Sequence, residues 1–229
     1  MKRHFTLLLR VILLLFFAYH LVTLTEDDLL SMAVTKSLLM PLLLIYYLLR
    51  SKDVSKHKTD YLLISALFFS WLGDLALLKG HSETNFFIYG LLAFLAAHIF
   101  YSISFYKDLS RTAITSLVVS KPHFALPFAV FSILFIYFLL PGLGDMKAPV
   151  MLYTLVITSM LIFALNRWKK VSTKSFYFVM FGTILFFMSD AMIAYNKFYQ
   201  VFEHERIAIM STYIFGQWFI VEGILFRKG

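Results

Sequence analysis

Cysteine is absent from all 229 residues, which excludes disulfides, thiolate nucleophiles and metals held by cysteine. The common catalytic signatures are missing as well: there is no G-x-S-x-G elbow, no H-E-x-x-H pair and no P-loop. The 7 histidines are scattered, without the convergent ligands that a zinc site needs, so no metal is expected. Charge is scarce, at 15% of the chain, against about 25% in an average soluble domain. What is there instead is apolar. Hydrophobic residues make up 60% of the chain and the mean hydropathy is +0.79, where soluble domains run at about 45–50% apolar. These residues fall in long runs that leave no room for a separate soluble domain. A single integral membrane domain over residues 1–229 is expected.

A helix that crosses a bilayer needs about 20 mostly apolar residues. Breaking the chain at its polar clusters predicts an all-α polytopic bundle of eight spans, at residues 5–24, 29–49, 61–78, 85–106, 122–140, 148–167, 175–195 and 205–226. The breaks include Thr25-Glu26-Asp27-Asp28, the stretch from Arg50 to Asp60, and Lys79 to Asn85. Pro141-Gly142-Leu143-Gly144-Asp145 is a further break, because Pro and Gly both interrupt helices. The first apolar run follows Lys2, Arg3 and His4 as in a signal peptide. It is too long for a cleaved segment, and no small-x-small site follows it, so it reads as the first span.

A net charge of +8 would suggest nucleic acid in a soluble protein. Position argues otherwise. With the N-terminus in the cytoplasm, sixteen of the 21 lysines and arginines fall on that face. Lys79, Lys147, Lys197 and Arg206 fall on the other, and Lys36 lies inside a span. This is a positive-inside bias. It predicts both termini in the cytoplasm, membrane lipids as partners and no nucleic acid. The compact length favours a bacterial cell (inner) membrane. Tyr46, Tyr47, Tyr61, Tyr106 and Trp168 are expected as anchors at the inner interface, and Glu203-His204-Glu205-Arg206 as a solvated outer loop.

Lys36, Asp74, His98, Asp190 and Glu222 interrupt the apolar runs. A charge at a helix centre costs at least about 2.5–3.5 kcal/mol on insertion scales, so such residues face the bundle interior and have a partner or a role. Their depth is informative. Lys36 lies seven residues into the second span, Tyr153 five into the sixth, and Asp74 and Asp190 four or five before the outer ends of the third and seventh. At 1.5 Å of rise per residue, these four share a layer within roughly 6–11 Å of the outer boundary. His98 and Gln217 lie near mid-depth. Three readings fit: an interhelical ion pair of Lys36 with one aspartate, a proton or ion relay, or a catalytic or binding site. One lysine cannot neutralise two aspartates. Two carboxylates in one desolvated site tend to share a proton, which supplies an acid and a base at neutral pH.

Lys36-Ser37-Leu38-Leu39-Met40-Pro41, Ser70-Trp71-Leu72-Gly73-Asp74, the stretch from Gly90 to His98, Ser189-Asp190 followed by Ala194, and Tyr213-x-x-x-Gln217 occur in this order. Together they resemble the YhhN-like, or transmembrane protein 86, family. Its characterised members are lysoplasmalogenases, which hydrolyse the sn-1 vinyl ether of a lysoplasmalogen to a fatty aldehyde and glycerophosphocholine or glycerophosphoethanolamine. The resemblance implies a lysophospholipid substrate and no cofactor, with site residues at Lys36, Asp74, His98, Tyr153, Asp190 and Gln217.

A vinyl ether yields to acid, so the expected catalytic pair is Asp190 as acid and Asp74 as carboxylate, with the roles exchangeable. Lys36 would bind the substrate phosphate, and His98, Tyr153 and Gln217 would complete the substrate site. The alternative is a proton-coupled transporter or lipid flippase that uses the same carboxylates as a relay.

Overall fold

The apolar runs fold as helices in the computed structural model, which describes residues 2–26, 28–51, 58–79, 84–110 and 114–227. In chain order these are α1 (Lys2–Thr23), α2 (Leu29–Ser51), α3 (Lys58–Lys79), α4 (Thr84–Leu109), a single turn α5 (Leu117–Ser120), α6 (Leu126–Leu139), α7 (Lys147–Asn166), α8 (Thr173–Phe198) and α9 (Glu205–Leu225). No strand occurs among the described residues. Seven of the helices are long and apolar enough to cross a membrane. Their outward faces are apolar too: Leu15, Leu30, Ile133 and Tyr137 are all exposed, as suits helices whose solvent is lipid. The protein is an integral membrane protein.

The fifth expected span, 122–140, is the one that differs. Pro122–Phe124 forms a 3-10 turn, α6 begins only at Leu126, and Leu140–Gly142 closes it as another 3-10 turn. Proline explains both ends. Pro122 and Pro127 fit only an early helical turn, and Pro141 lacks the N–H that a continuing helix requires. The apolar helix Leu126–Gly142 is therefore shorter than its neighbours. Lys52, Lys56, Arg111 and Lys228 of the expected basic face, Asp27, and residues 80–83 of the third break lie outside the described residues, as do the side chains of Lys2, Arg3 and Lys58.

The chain divides into two compact units, Met1–Ala97 and His98–Gly229, with the division falling inside α4. Within the first unit, α1 packs on α2 and α2 on α3. Asp28 caps α2: its Oδ1 accepts the N–H groups of Leu30 and Ser31, at 3.0 and 3.2 Å, and the Ser31 hydroxyl donates to Oδ2. That hydroxyl first, and the N–H groups after it, hold the Asp28 carboxyl below its ordinary range. Pro41 sits inside α2 and leaves the Ser37 carbonyl without its helical donor. Trp71 of α3 supplies one, its Nε1 lying 2.9 Å from that carbonyl. Tyr46 and Tyr47, expected at the interface, are instead buried, and Tyr46 Oη accepts a hydrogen bond from Arg10 Nε at 3.2 Å. Tyr61 is exposed.

In the second unit, α8 and α9 form the longest seam. A Cβ at Gly182 would stand 2.7 Å from the Gly216 carbonyl, and one at Gly216 would stand 2.9 Å from the Phe186 nitrogen. Only glycine lets the two backbones approach this closely, as in many membrane helix pairs. The N-cap of α8 is Ser172, whose Oγ accepts the Ser175 N–H at 3.2 Å and donates to the Phe226 carbonyl at 2.6 Å. A small core of Leu139, Leu143 and Val150, with Ala194 and Phe198 packed against it, joins the end of α6 to α7 and α8. Glu205 and Arg206 are part of α9 rather than of a solvated loop, and Asn196 Nδ2 donates to Glu205 Oε2 at 2.8 Å.

Candidate functional site

Three expected site residues meet around Asp190 in the second unit. Asp190 lies on α8, and its side chain is only 8% exposed. Tyr153, six residues into α7, donates its hydroxyl to Asp190 Oδ2 at 2.5 Å. His98 of α4, fully buried, brings its Nε2 to 3.3 Å from the same oxygen. The imidazole also stands edge-on to the Tyr153 ring, with centroids 5.3 Å apart, and lies 4.6 Å from the Phe186 ring. Phe186 is one helical turn before Asp190, and its ring is tilted against the imidazole. Among the described residues no lysine or arginine pairs with Asp190. Both Tyr153 and His98 approach the same oxygen, Oδ2.

One turn further along α4, Tyr101 donates its hydroxyl to Gln217 Oε1 of α9 at 2.5 Å. Both residues are fully buried. The Phe186 ring reaches this pair as well, 6.3 Å from Tyr101 and edge-on to it, and 5.4 Å from Tyr213. Gln217 stood out in the sequence by its mid-span depth and through the resemblance, whereas Tyr101 carried no signal at all, since a tyrosine in an apolar helix reads as filler.

Lys36 and Asp74 belong to the first unit. Asp74 is buried at 2% exposure on α3, next to Gly73, and Lys36 is half-buried on α2. A Cβ at Gly73 would fall 2.6 Å from the Phe94 ring, so this ring is held tightly beside the aspartate's own turn. The bond from Trp71 to the Ser37 carbonyl ties the Lys36–Pro41 segment to the Ser70–Asp74 segment. His20 is a further buried polar residue that sequence reading missed. It is fully buried in α1, with Nδ1 2.8 Å from Thr35 Oγ1. Its place inside an apolar run, close to the outer end of a span, was the available signal.

The opposite end of the second unit holds a second charged cluster, and here the structure corrects the sequence reading. Arg167, Lys170 and Arg227 were expected among loop charges on one membrane face. All three are buried, at 0%, 7% and 6% exposure. Asp108, at the end of α4, receives Arg167 Nε at 2.9 Å on Oδ2 and faces Arg227 Nε at 3.1 Å with Oδ1. Arg167 Nη2 also donates to Ser175 Oγ at 2.8 Å, and Arg227 Nη2 to Ser104 Oγ at 3.1 Å. Lys170 Nζ donates to the carbonyls of Leu109 and Ile114, at 2.8 and 2.6 Å. For Lys170 the cause is local, since the end of α4 leaves the Leu109 carbonyl without a helical donor and the ammonium supplies one; Arg167 and Arg227 are drawn in by the Asp108 carboxylate. Glu222 is buried as well, at 1% exposure. No cluster of three or more His, Asp or Glu able to hold a metal occurs among the described residues.

The model of the YhhN family matches residues 31–224. Lysoplasmalogenase TMEM86B of Mus musculus is 31% identical over 172 residues, covering 75% of this chain and 66% of the relative. Lysoplasmalogenase TMEM86A of Homo sapiens is 30% identical over 163 residues, covering 70% and 64%. Lysoplasmalogenase TMEM86B of Sus scrofa is 29% identical over 178 residues, covering 78% and 69%. The chain thus spans just under two thirds of the length of the first two. No solved structure matches it.

Proposed function

The chain belongs to the YhhN family, and from this premise we propose that it is a lysoplasmalogenase-like hydrolase, cleaving the sn-1 vinyl ether of a lysophospholipid by carboxyl acid–base catalysis. The observation that carries the reading is the buried Asp190 carboxyl, held on one oxygen by Tyr153 and His98 and paired with no lysine or arginine among the described residues. Such a group can act as a proton donor rather than as half of a salt bridge.

The chemistry runs as follows. The Asp190 carboxyl delivers its proton to the alkene carbon beta to the ether oxygen. The π electrons form the new C–H bond, and an oxocarbenium ion results. A water oxygen bonds to the carbon alpha to the ether oxygen and releases its proton to a carboxylate. The hemiacetal then breaks its bond to the glycerol oxygen. Its hydroxyl proton passes to that oxygen, leaving a fatty aldehyde and a glycerophospho-alcohol. One water is consumed, and no oxidant or cofactor takes part. Asp74 is the second carboxylate of this proposal, and Lys36 the cation for the substrate phosphate. Tyr153 and His98 keep the Asp190 carboxyl in one rotamer, since a general acid must stay within hydrogen-bond reach of the atom it protonates. The lipid surround suits the substrate: a single-chain amphiphile sets its head group at the interface and its vinyl ether slightly deeper, where the Asp190 layer lies.

The decisive experiment is aldehyde release from lysoplasmenylethanolamine by purified protein, in detergent and without an ion gradient. Turnover under these conditions supports the hydrolase; gradient-dependent flux in liposomes without any aldehyde would sink it in favour of a transporter. The proposed location is a bacterial cell membrane with both termini cytoplasmic, on the strength of the positive-inside bias. The natural absence of cysteine makes this simple to test. Single cysteines introduced at Glu26 and Lys107 should react with impermeant maleimide from opposite sides, with Lys107 on the cytoplasmic one.

A further inference from the structure

We propose that Lys197 binds the phosphate of the lysophospholipid whose vinyl ether lies at Asp190, in addition to Lys36. The proposal rests on the hydrolase reading above and deepens it, by assigning a head-group contact within the unit that holds Asp190. Thr183, Asp190 and Lys197 follow one another at seven-residue spacing on α8. Seven residues make nearly two full turns, so the three lie on one face, and Phe186, one turn before Asp190, shares it. Burial falls along this face toward the end of the helix. Thr183 and Phe186 are 0% exposed, the Asp190 side chain is 8% exposed, and Lys197 is exposed. The face that carries the carboxyl therefore opens toward the lysine.

The spacing matches the substrate. Seven residues of α-helix rise about 10.5 Å. In a lysoplasmalogen the phosphorus is seven bonds from the vinyl carbon that takes the proton, a chain that extends to about 9 Å at about 1.5 Å per bond. A lipid protonated by Asp190, with its head group toward the end of α8, thus sets its phosphate near the level of Lys197. The flexible lysine stem covers the difference, and its ammonium is a compact charge with three donors. Lys197 already interacts within the protein; because it is exposed, the ammonium can take up a phosphate oxygen as well. The cation at the start of α9 is differently placed. Arg206 Nε faces Glu205 Oε1 at 3.6 Å, and Glu205 Oε2 accepts from Asn196, the residue before Lys197. The Arg206 charge is therefore matched by a carboxylate of its own.

Two substrates test this with purified full-length protein in detergent: lysoplasmenylethanolamine, and the 1-alkenylglycerol that has the same vinyl ether and no phosphate. Lys197→Gln is expected to raise KM for the phospholipid about three- to fivefold, the scale of an ion pair open to solvent, with kcat little changed, as for lost ground-state binding. For alkenylglycerol the variant should match the wild type. Arg206→Gln, which removes the same charge nearby, should leave both substrates unchanged. The natural lack of cysteine allows a second route. Lys197→Cys treated with an aminoethyl thiosulfonate regains a cation and should regain the wild-type KM, whereas a sulfonatoethyl reagent should raise KM further. If Lys197→Gln does not accumulate as folded protein, this labelled pair decides alone. A wild-type KM for the phospholipid in Lys197→Gln, or equal losses on the two substrates, overturns the proposal, because a structural or general electrostatic role would not distinguish them by phosphate. No aldehyde from the wild type on either substrate would overturn the hydrolase reading, and the proposal with it.

Discussion

Asp190 and Asp108 are both buried in the second unit, yet their surroundings are opposite in kind. Asp108 has a guanidinium on each oxygen, from Arg167 and Arg227, and those arginines spend further donors on Ser175 and Ser104. The Arg167 guanidinium also lies over the Phe105 ring, 5.4 Å from its centroid. Asp190 has a phenol and an imidazole, both on Oδ2. A carboxylate locked between two fixed cations is satisfied and inert; its energy is spent on holding helix ends together. A carboxyl that accepts a phenol hydrogen bond on one oxygen and meets no lysine or arginine among the described residues can still exchange a proton. Burial alone therefore does not mark a catalytic acid. The partners decide.

The largest effect that would sharpen this contrast is on turnover. Asp190→Asn should lower kcat/KM about 10²–10⁴-fold, the usual range for loss of a general acid, with the melting temperature in detergent nearly unchanged. If Asp190→Asn hydrolyses vinyl ether at the wild-type rate, the catalytic side of the comparison collapses. Asp108→Asn should do the reverse. It leaves two buried guanidiniums without their carboxylate, which costs about 3–5 kcal/mol. That loss is read as a lower melting temperature and less monodisperse protein, while the fraction that folds keeps its specific activity. Replacing Asp108, Arg167 and Arg227 together by apolar residues of similar volume should cost far less than removing Asp108 alone, since no unpaired charge remains.

A smaller change is expected at Tyr153. Tyr153→Phe removes one hydrogen bond to a carboxyl, worth about 1.5 kcal/mol, or roughly tenfold in rate, measured as kcat with the protein's thermal stability as control. The smallest concerns Arg227→Lys. The variant retains the charge and loses the planar fork that serves Asp108 and Ser104 at once, so a loss of about 1 kcal/mol in stability is expected with no change in turnover.

Much of the first unit was legible before folding. The segment Lys36–Pro41 and the segment Ser70–Asp74 looked like separate motifs, and the reason for their pairing is chemical: Pro41 frees the Ser37 carbonyl and Trp71 takes it up. The depth argument worked for Tyr153 and Asp190 because rise per residue is constant in a helix, so equal distance from a span's end means equal depth. It failed at the other end of the bundle. Arg167, Lys170 and Arg227 follow apolar runs and count as loop charges in any composition window, although each folds back over a helix terminus into a dry cluster.

The number and length of apolar runs, and so the membrane-spanning helical class, were determined by sequence alone, because a bilayer core sets one thickness that every spanning segment must match. The common level of Tyr153 and Asp190 followed from the same arithmetic. Which ionisable residues are partners was decided only by tertiary structure. Rotation about a helix axis and the choice of neighbouring helix are set by close contacts such as Gly182 against Gly216, and contacts between distant segments leave no periodic trace in the chain. That choice left Asp190 to a tyrosine and a histidine, and gave Asp108 to two arginines.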